Sequence, residues 1–305
     1  MFDLFEKRDI NHLLDFSFAD EGNVFQNVKK ISISGAQEKY SAVVDNGRIR
    51  LAADGEQGTL ILKPVPSYPF QYRNQMPINE YLTMQIANNL FGIDTASCGI
   101  CYTSDRKPVF VTERFDIIDC KKLMQEDFAS LMGKLSGNGD ENFKYDGSYF
   151  DIAQAISRVV TDKDKALCDF FRIVVFNYLF ANGDAHLKNF SILNSDNSVY
   201  LSPAYDLLNT HLHVNDDDFA LSEGLGSFVE KSDTYKNSGH PCKEDFLNFA
   251  NAIGIESRTG ESIVNQFSDT YDKALSYVEE SALEEKPKRI YKSIILERYR
   301  RFIRE

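Results

Sequence analysis

From Leu167 to Leu179, apolar residues recur at three- and four-residue steps, at Leu167, Phe170, Phe171, Val174, Val175, Tyr178 and Leu179. Three full turns of that pattern predict a helix buried in a core. Asn182-Gly183 follows as its expected stop signal. A polar loop, Asp184-Ala-His-Leu-Lys-Asn189, is thereby anchored on a rigid buried element. Phe190–Leu193 and Val199–Leu201 predict a short hairpin turning at Asn194–Asn197, and a second polar loop carries Tyr205-Asp206.

These two loops hold a chemically specific set. Phosphoryl transfer from ATP needs one carboxylate near the attacking hydroxyl, with an Asn and a further Asp to hold the magnesium ions that bridge the phosphates. Asp184 and Asn189 are five positions apart, the interval between the catalytic Asp and the metal-binding Asn of protein kinases. Asp184 is therefore the candidate catalytic carboxylate, and Asn189 and Asp206 are candidate Mg2+ ligands. Lys188 could neutralise charge on the transferred phosphoryl group. His186 is either a catalytic participant or a loop-shaping hydrogen-bond partner.

The first third of the chain reads as strands. Asn46-Gly47 between Tyr40–Val44 and Arg48–Leu51 signals a tight hairpin, and Thr59–Lys63 is a further strand stopped by Pro64. Helical spacing runs from Asn79 to Leu90, and strands resume at Gly99–Thr103 and Pro108–Glu113. Lys63 ends an apolar strand and Glu80 opens the following helix. Such a lysine can hold the α- and β-phosphates while the acid fixes its position, although an edge-strand lysine and a helix-start Glu are ordinary separately. Residues 134–148 and much of 216–240 read as long polar surface loops, and helices dominate from Glu244 onward. The expected fold class is α+β and two-lobed. It comprises an N-terminal segment at residues 1–30, a strand-rich N-lobe at 31–115 and a mainly helical C-lobe at 116–305, with the crossover near Val111–Asp116.

Composition excludes other classes. At 305 residues, 43% apolar and 26% charged, the chain can bury a large core and has no run long enough to span a membrane. With no secretory signal in its first residues, it is expected to be cytoplasmic. Five scattered cysteines argue against a disulfide framework, and Cys98-x-x-Cys101 lies in a strand where the two side chains face opposite ways, which makes them structural. The net charge of −12 disfavours whole-surface nucleic-acid binding. Residues 281–305 are locally +4 and predict a terminal helix with Tyr291, Ile294, Ile295, Phe302 and Ile303 inward and the cations solvated. The remaining histidines show no metal spacing, and His211-Leu-His213 is expected in solvent.

Several stretches together resemble the HipA-type serine/threonine kinase toxins, in family order. They are Ile31-Ser-Ile-Ser-Gly-Ala-Gln-Glu-Lys39, Leu60–Lys63, Asn79-Glu80-Tyr81, Val111-Thr-Glu-Arg-Phe-Asp116, Gln125-Glu-Asp127, Asn182–Asn189 and Tyr205-Asp206. The resemblance implies a fold related to protein and phosphoinositide kinases, with ATP and Mg2+ in the cleft. It gives Asp184, Asn189, Asp206 and Lys63 the roles above, places adenine at the connector of Glu113 and Phe115, and makes Gln125 a further lining residue. Ser34 and Gly35 belong to the loop that approaches the phosphates; spacing alone reads that loop as a Ser-rich turn. Ser32, and in the short HipT form also Ser34, matches the autophosphorylated loop serine, and phosphate there would place negative charge where the triphosphate must sit. The chain reaches this loop after about thirty residues, which resembles the HipT layout. The implied partners are an aminoacyl-tRNA synthetase as protein substrate and a HipB-like DNA-binding antitoxin, a small HipS-like antitoxin, or both; DNA would be met only through an antitoxin. Two other readings compete: a non-catalytic kinase-like scaffold in operon repression, and a small-molecule phosphotransferase.

Overall fold

The computed structural model describes residues 4–6, 10–18, 37–118, 121–134, 141–195 and 197–303. Ser32, Ser34 and Gly35 of the expected phosphate loop lie outside the described residues, as does Cys120. Strands β1 (Tyr40–Asp45) and β2 (Arg48–Leu51) form the expected hairpin, with φ of 49° at Asn46 and 74° at Gly47. With β3 (Leu60–Pro64), β4 (Cys98–Tyr102) and β5 (Pro108–Glu113) they make an antiparallel sheet of order β2-β1-β3-β5-β4. Pro64, expected to stop β3, is its last residue and sits opposite Val109.

Alternation along the strands divides the side chains. Leu60, Leu62, Cys101, Val109 and Val111 pack with Leu4, Phe5, Ile10 and Leu14 on one face. Cys98 and Phe110 enter the large core on the other face, which helix α1 (Met76–Phe91) shares. The two cysteines therefore sit buried in different cores as thiols, not joined by a disulfide, as their strand spacing required.

Beyond two short strands, β6 (Ile117–Ile118) and β7 (Lys121–Lys122), comes β8 (Met124–Asp127), followed by the single turn α2 (Phe128–Leu131). The segment read as loop up to residue 148 contains a 3-10 helix, Glu141–Tyr145, and ends at Ser148, which caps α3 (Tyr149–Val159). The expected buried helix is α4 (Lys163–Leu179). It stops at Leu179 rather than at Asn182-Gly183. Ala181 takes the left-handed φ of 53°, and the N–H groups of Ala181 and Asn182 close on the carbonyls of Tyr178 and Asn177. Gly183 serves a different need, because a Cβ there would lie 2.5 Å from the Asp216 carboxyl carbon.

The hairpin of β9 (Ser191–Ser195) and β10 (Ser198–Leu201) is present, and β8 pairs with β9 to make it three-stranded. Helices α5 (Asp233–Ser238), α6 (Lys243–Ala252), α7 (Ser257–Glu280) and α8 (Glu285–Phe302) complete the chain. Helix α8 buries Tyr291, Ile295 and Phe302 as expected, but Ile294 is half-buried and Ile303 is 47% exposed. Its cations are not all solvated either. Arg298 is buried, donates to Asp218 and lies over the Tyr178 ring at 5.1 Å, because the loop after Asp206 carries a carboxylate inward that needs a cation. Among the described residues, no helix is long and apolar enough to cross a membrane.

Candidate active site

The same alternation that buries Leu60 and Leu62 turns Ile61 and Lys63 of β3 toward a cavity of about 370 Å³. At its centre Lys63, only 3% exposed, lies 2.5 Å from Glu80 Oε1 on α1 and also bonds Asp206. Asp206 has a left-handed φ of 56°, which Asp tolerates better than most residues. It further accepts from Lys39 at 3.2 Å and from Asn189 Nδ2 at 3.3 Å. Burial opposes charge on Lys63, Glu80 and Asp206. Even so, Lys39 and Lys63 outweigh it at Asp206, whose pKa is held well below the carboxylate range, and Asp206 with Glu80 raises that of Lys63. At Glu80 burial prevails and pushes the pKa upward.

Glu113 and Phe115 line the same cavity, with the Phe115 ring 5.3 Å from Tyr205. Gln125 on β8 also lines it and donates to Ser191 Oγ at 3.0 Å. Lys188 is on the wall, but its ammonium is turned to Asp127 Oδ2 at 2.6 Å. His186 is 1% exposed, and neither ring nitrogen has a hydrogen-bond partner among the described residues. Burial pushes its pKa down to about 4, so the ring is neutral near pH 7. Its backbone N–H donates to Asn189 Oδ1 at 3.1 Å.

Asp184 is not among the described residues that line this cavity. Its Oδ1 accepts from the Tyr145 hydroxyl at 2.7 Å, and Tyr145 lines a second cleft of about 830 Å³. The residue lies behind a polar, glycine-rich stretch, and no local pattern marks it. On the reading of Asp184 as the catalytic carboxylate, removing a hydrogen bond to a charged group forfeits about 1.5–3 kcal/mol, so Tyr145→Phe is expected to lower turnover by roughly 10- to 100-fold. Steady-state kinetics that show turnover unchanged would rule out this orienting role.

Asp206 and Asn189 suit a hard cation that keeps most of its waters: one carboxylate held ionised and, after a half-turn of the Asn189 amide, one carbonyl oxygen beside it. That half-turn gives up the bond from the His186 N–H.

Two histidines expected in solvent are structural. His211 pairs with Asp216 at 3.0 Å. His213 is buried between the Gln71 carbonyl, 2.7 Å from Nδ1, and the Asn79 amide, 2.8 Å from Nε2. Those partners demand a neutral ring with its proton on Nδ1, and burial lowers its pKa to about 4. An unfolded imidazole titrates near 6.5 and takes up a proton that the folded one refuses, so stability is complete above that value and declines as pH falls toward 4. By pH 5 the loss is roughly 2 kcal/mol. Urea midpoints measured at pH 8 and pH 5 should converge in His213→Gln relative to the wild type; an equal spread in both proteins refutes this assignment.

The family model "HipA-like C-terminal domain" matches residues 31–275. A Sinorhizobium fredii protein named "Putative kinase Y4mE" is 33% identical over 192 residues, covering 59% of this chain and 43% of its own. The serine/threonine-protein kinase toxin HipA of Shewanella oneidensis is 25% identical over 205 residues, covering 62% of this chain and 46% of its own. The chain thus spans about half the length of these curated relatives. Among solved structures, the Shewanella oneidensis HipA complex with HipB and operator DNA aligns with a TM-score of 0.71 at 19% identity, covering 92% of this chain and 67% of that one, which establishes the kinase-like α+β fold. With most of its length matched by that model, the chain belongs to the HipA-like C-terminal domain family.

Proposed function

We propose that the protein is an ATP-dependent serine/threonine protein kinase of the toxin type, two-lobed with its division near residue 115. One observation carries the reading. A buried lysine is shared by a helix carboxylate and by Asp206, and Asn189 stands beside that Asp on the wall of one cavity. That arrangement costs desolvation and gives little stability in return, so its use is in binding an anion and a cation together. Lys63, positioned by Glu80, holds the phosphates, and the Glu113–Phe115 connector with Gln125 borders the adenine. Asp206 and Asn189 hold Mg2+, which neutralises charge on the phosphates. Asp184 accepts the proton of the attacking hydroxyl while the bond from the γ-phosphorus to the bridging oxygen breaks and ADP leaves with its electron pair.

The finer assignments follow the family. The acceptor is a serine of a protein, with an aminoacyl-tRNA synthetase as the class to test first, and the chain's own Ser32 and Ser34 are sites of inhibitory autophosphorylation. The neighbouring structure holds HipB and operator DNA, so a HipB-like antitoxin is the partner to test, with a HipS-like protein as the second candidate. Phosphoproteomics after brief induction of wild type and Asp184→Asn tests the kinase and substrate assignments together. A new phosphoserine on one synthetase, seen only with the wild type, supports the reading; identical phosphoproteomes contradict it.

A further inference from the structure

The backbone N–H of Gly183, the residue before Asp184, donates to the Thr210 hydroxyl at 2.8 Å. That hydroxyl has one proton and two acceptors within reach, Asp216 Oδ2 at 2.5 Å and the Ala181 carbonyl at 3.0 Å. The carbonyl already accepts from the Thr210 N–H at 3.0 Å, and the bond to the carboxylate is both shorter and stronger. The proton therefore points to Asp216, which leaves a lone pair of the hydroxyl for the Gly183 N–H. Hydrogen bonds in series polarise one another, so the Asp216 carboxylate tightens the hold on Gly183.

The same carboxylate also packs directly on Gly183, where a Cβ would lie 2.5 Å from its carboxyl carbon. Both partners of the glycine are themselves fixed. Thr210 is fully buried, and the Asn79 side chain on α1 takes the N–H of the preceding Asn209 at 3.1 Å and its carbonyl at 2.9 Å. Asp216 has His211 Nε2 3.0 Å from its other oxygen, and that nitrogen lies 2.9 Å from the buried Arg298 of α8. Helix α4 secures Ala181 and Asn182 through the carbonyls of Tyr178 and Asn177. Gly183 comes next in the chain, and its N–H goes instead to the Thr210–Asp216 pair. The direction in which the chain enters Asp184 is thus set by a segment 27 or more positions away.

We propose that Thr210 and Asp216 are positioning residues, which fix the backbone at Gly183 and so set where the Asp184 carboxylate stands relative to the acceptor hydroxyl. The inference rests on the kinase reading above, in which Asp184 takes the proton of that hydroxyl. Neither Thr210 nor Asp216 is among the described residues that line the cavity proposed for the nucleotide, so their effect reaches the chemistry through Asp184. A general base works only within hydrogen-bond reach of the proton it removes, and a misplacement of about 1 Å costs roughly 10²-fold in rate.

The test compares Thr210→Val, Thr210→Ser, Asp216→Ala and Asp216→Asn with the wild type, each also in the Asp184→Asn background. Labelled ATP and Mg2+ are supplied, and transfer to the protein itself and to added casein is followed. Val and Ala remove the relay, whereas Ser keeps the hydroxyl and Asn keeps an oxygen that accepts from it. The expected result is a fall in the rate at saturating ATP of roughly 10²-fold with Val and with Ala, at a KM for ATP within about threefold of wild type. Ser and Asn should recover at least about tenfold of that loss. In the Asp184→Asn background, Val and Ala should lower the residual rate by less than about twofold, because an effect exerted through Asp184 has nothing left to act on. A general loosening of the fold would instead cut both backgrounds alike, and that outcome overturns the proposal. Far-ultraviolet circular dichroism and the stoichiometry of a bound fluorescent ATP analogue identify folded variants; should Thr210→Val not fold, the comparison of Asp216→Ala with Asp216→Asn decides. Losses confined to KM, or losses as large with Ser and Asn as with Val and Ala, also overturn it. Full activity in both Val and Ala removes the positioning role and leaves the kinase reading standing. A wild type that transfers no phosphate, or an Asp184→Asn variant as active as the wild type, removes that reading and this proposal together.

Discussion

Asp184→Asn is expected to lower phosphate transfer by roughly 10²- to 10⁴-fold, the range of a positioned general base. The substitution is nearly isosteric, and the amide oxygen can still accept from Tyr145, so the packing around the loop is kept. Because Asp184 is not among the described residues that line the cavity proposed for the nucleotide, affinity for ATP should change little. The pairing of lost turnover with retained binding distinguishes removal of a transition-state interaction from loss of ground-state binding. Single-turnover labelling and titration with a fluorescent ATP analogue measure the two quantities separately. A variant that labels substrate at more than a few per cent of the wild-type rate would show that another group takes the proton. One that no longer binds nucleotide would show that Asp184 supports the cavity rather than the chemistry.

The residues that meet around Asp206 were legible in the sequence because each is announced locally. Lys63 stands one place before the end of an apolar strand, Glu80 lies early in a periodic helix, and Asn189 and Asp206 flank a hairpin. What the sequence hid depends on contacts between distant segments. Strand β8 is short and polar, so its pairing with β9 rests on backbone hydrogen bonds that need no apolar pattern. His213 looks solvated in its polar surroundings, yet Gln71 and Asn79, more than 130 positions away, supply the partners that allow it inside. Gly183 resembles a helix stop because that is the commoner use of Asn-Gly after an apolar run. The approach of Asp216 is a tertiary demand on the same residue. Tyr145 follows the same rule: the Asp184 carboxylate beside it lies 39 positions away in sequence.

Lys63→Met should reveal how the central ion cluster is held. The substitution fills most of the lysine's volume but leaves Glu80 and Asp206 without their shared cation. Glu80 is fully buried, and its Oε2 has no hydrogen-bond partner among the described residues, so water cannot take over. Breaking a buried pair by removing one partner costs about 3–5 kcal/mol, mostly as the penalty of the charge left behind. That origin predicts a strong non-additivity: Lys63→Met/Glu80→Gln should be more stable than Lys63→Met alone, although it carries one substitution more. Activity should not follow stability, because both variants lack the Lys63 ammonium proposed to hold the phosphates. Urea denaturation of the wild type, both single variants and the double variant closes the cycle, and labelled-ATP transfer is measured on the same samples. A double variant no more stable than Lys63→Met would mean that the stranded carboxylate is not the source of the loss. A folded double variant that transfers phosphate at the wild-type rate would place the phosphate-binding cation elsewhere in the cavity.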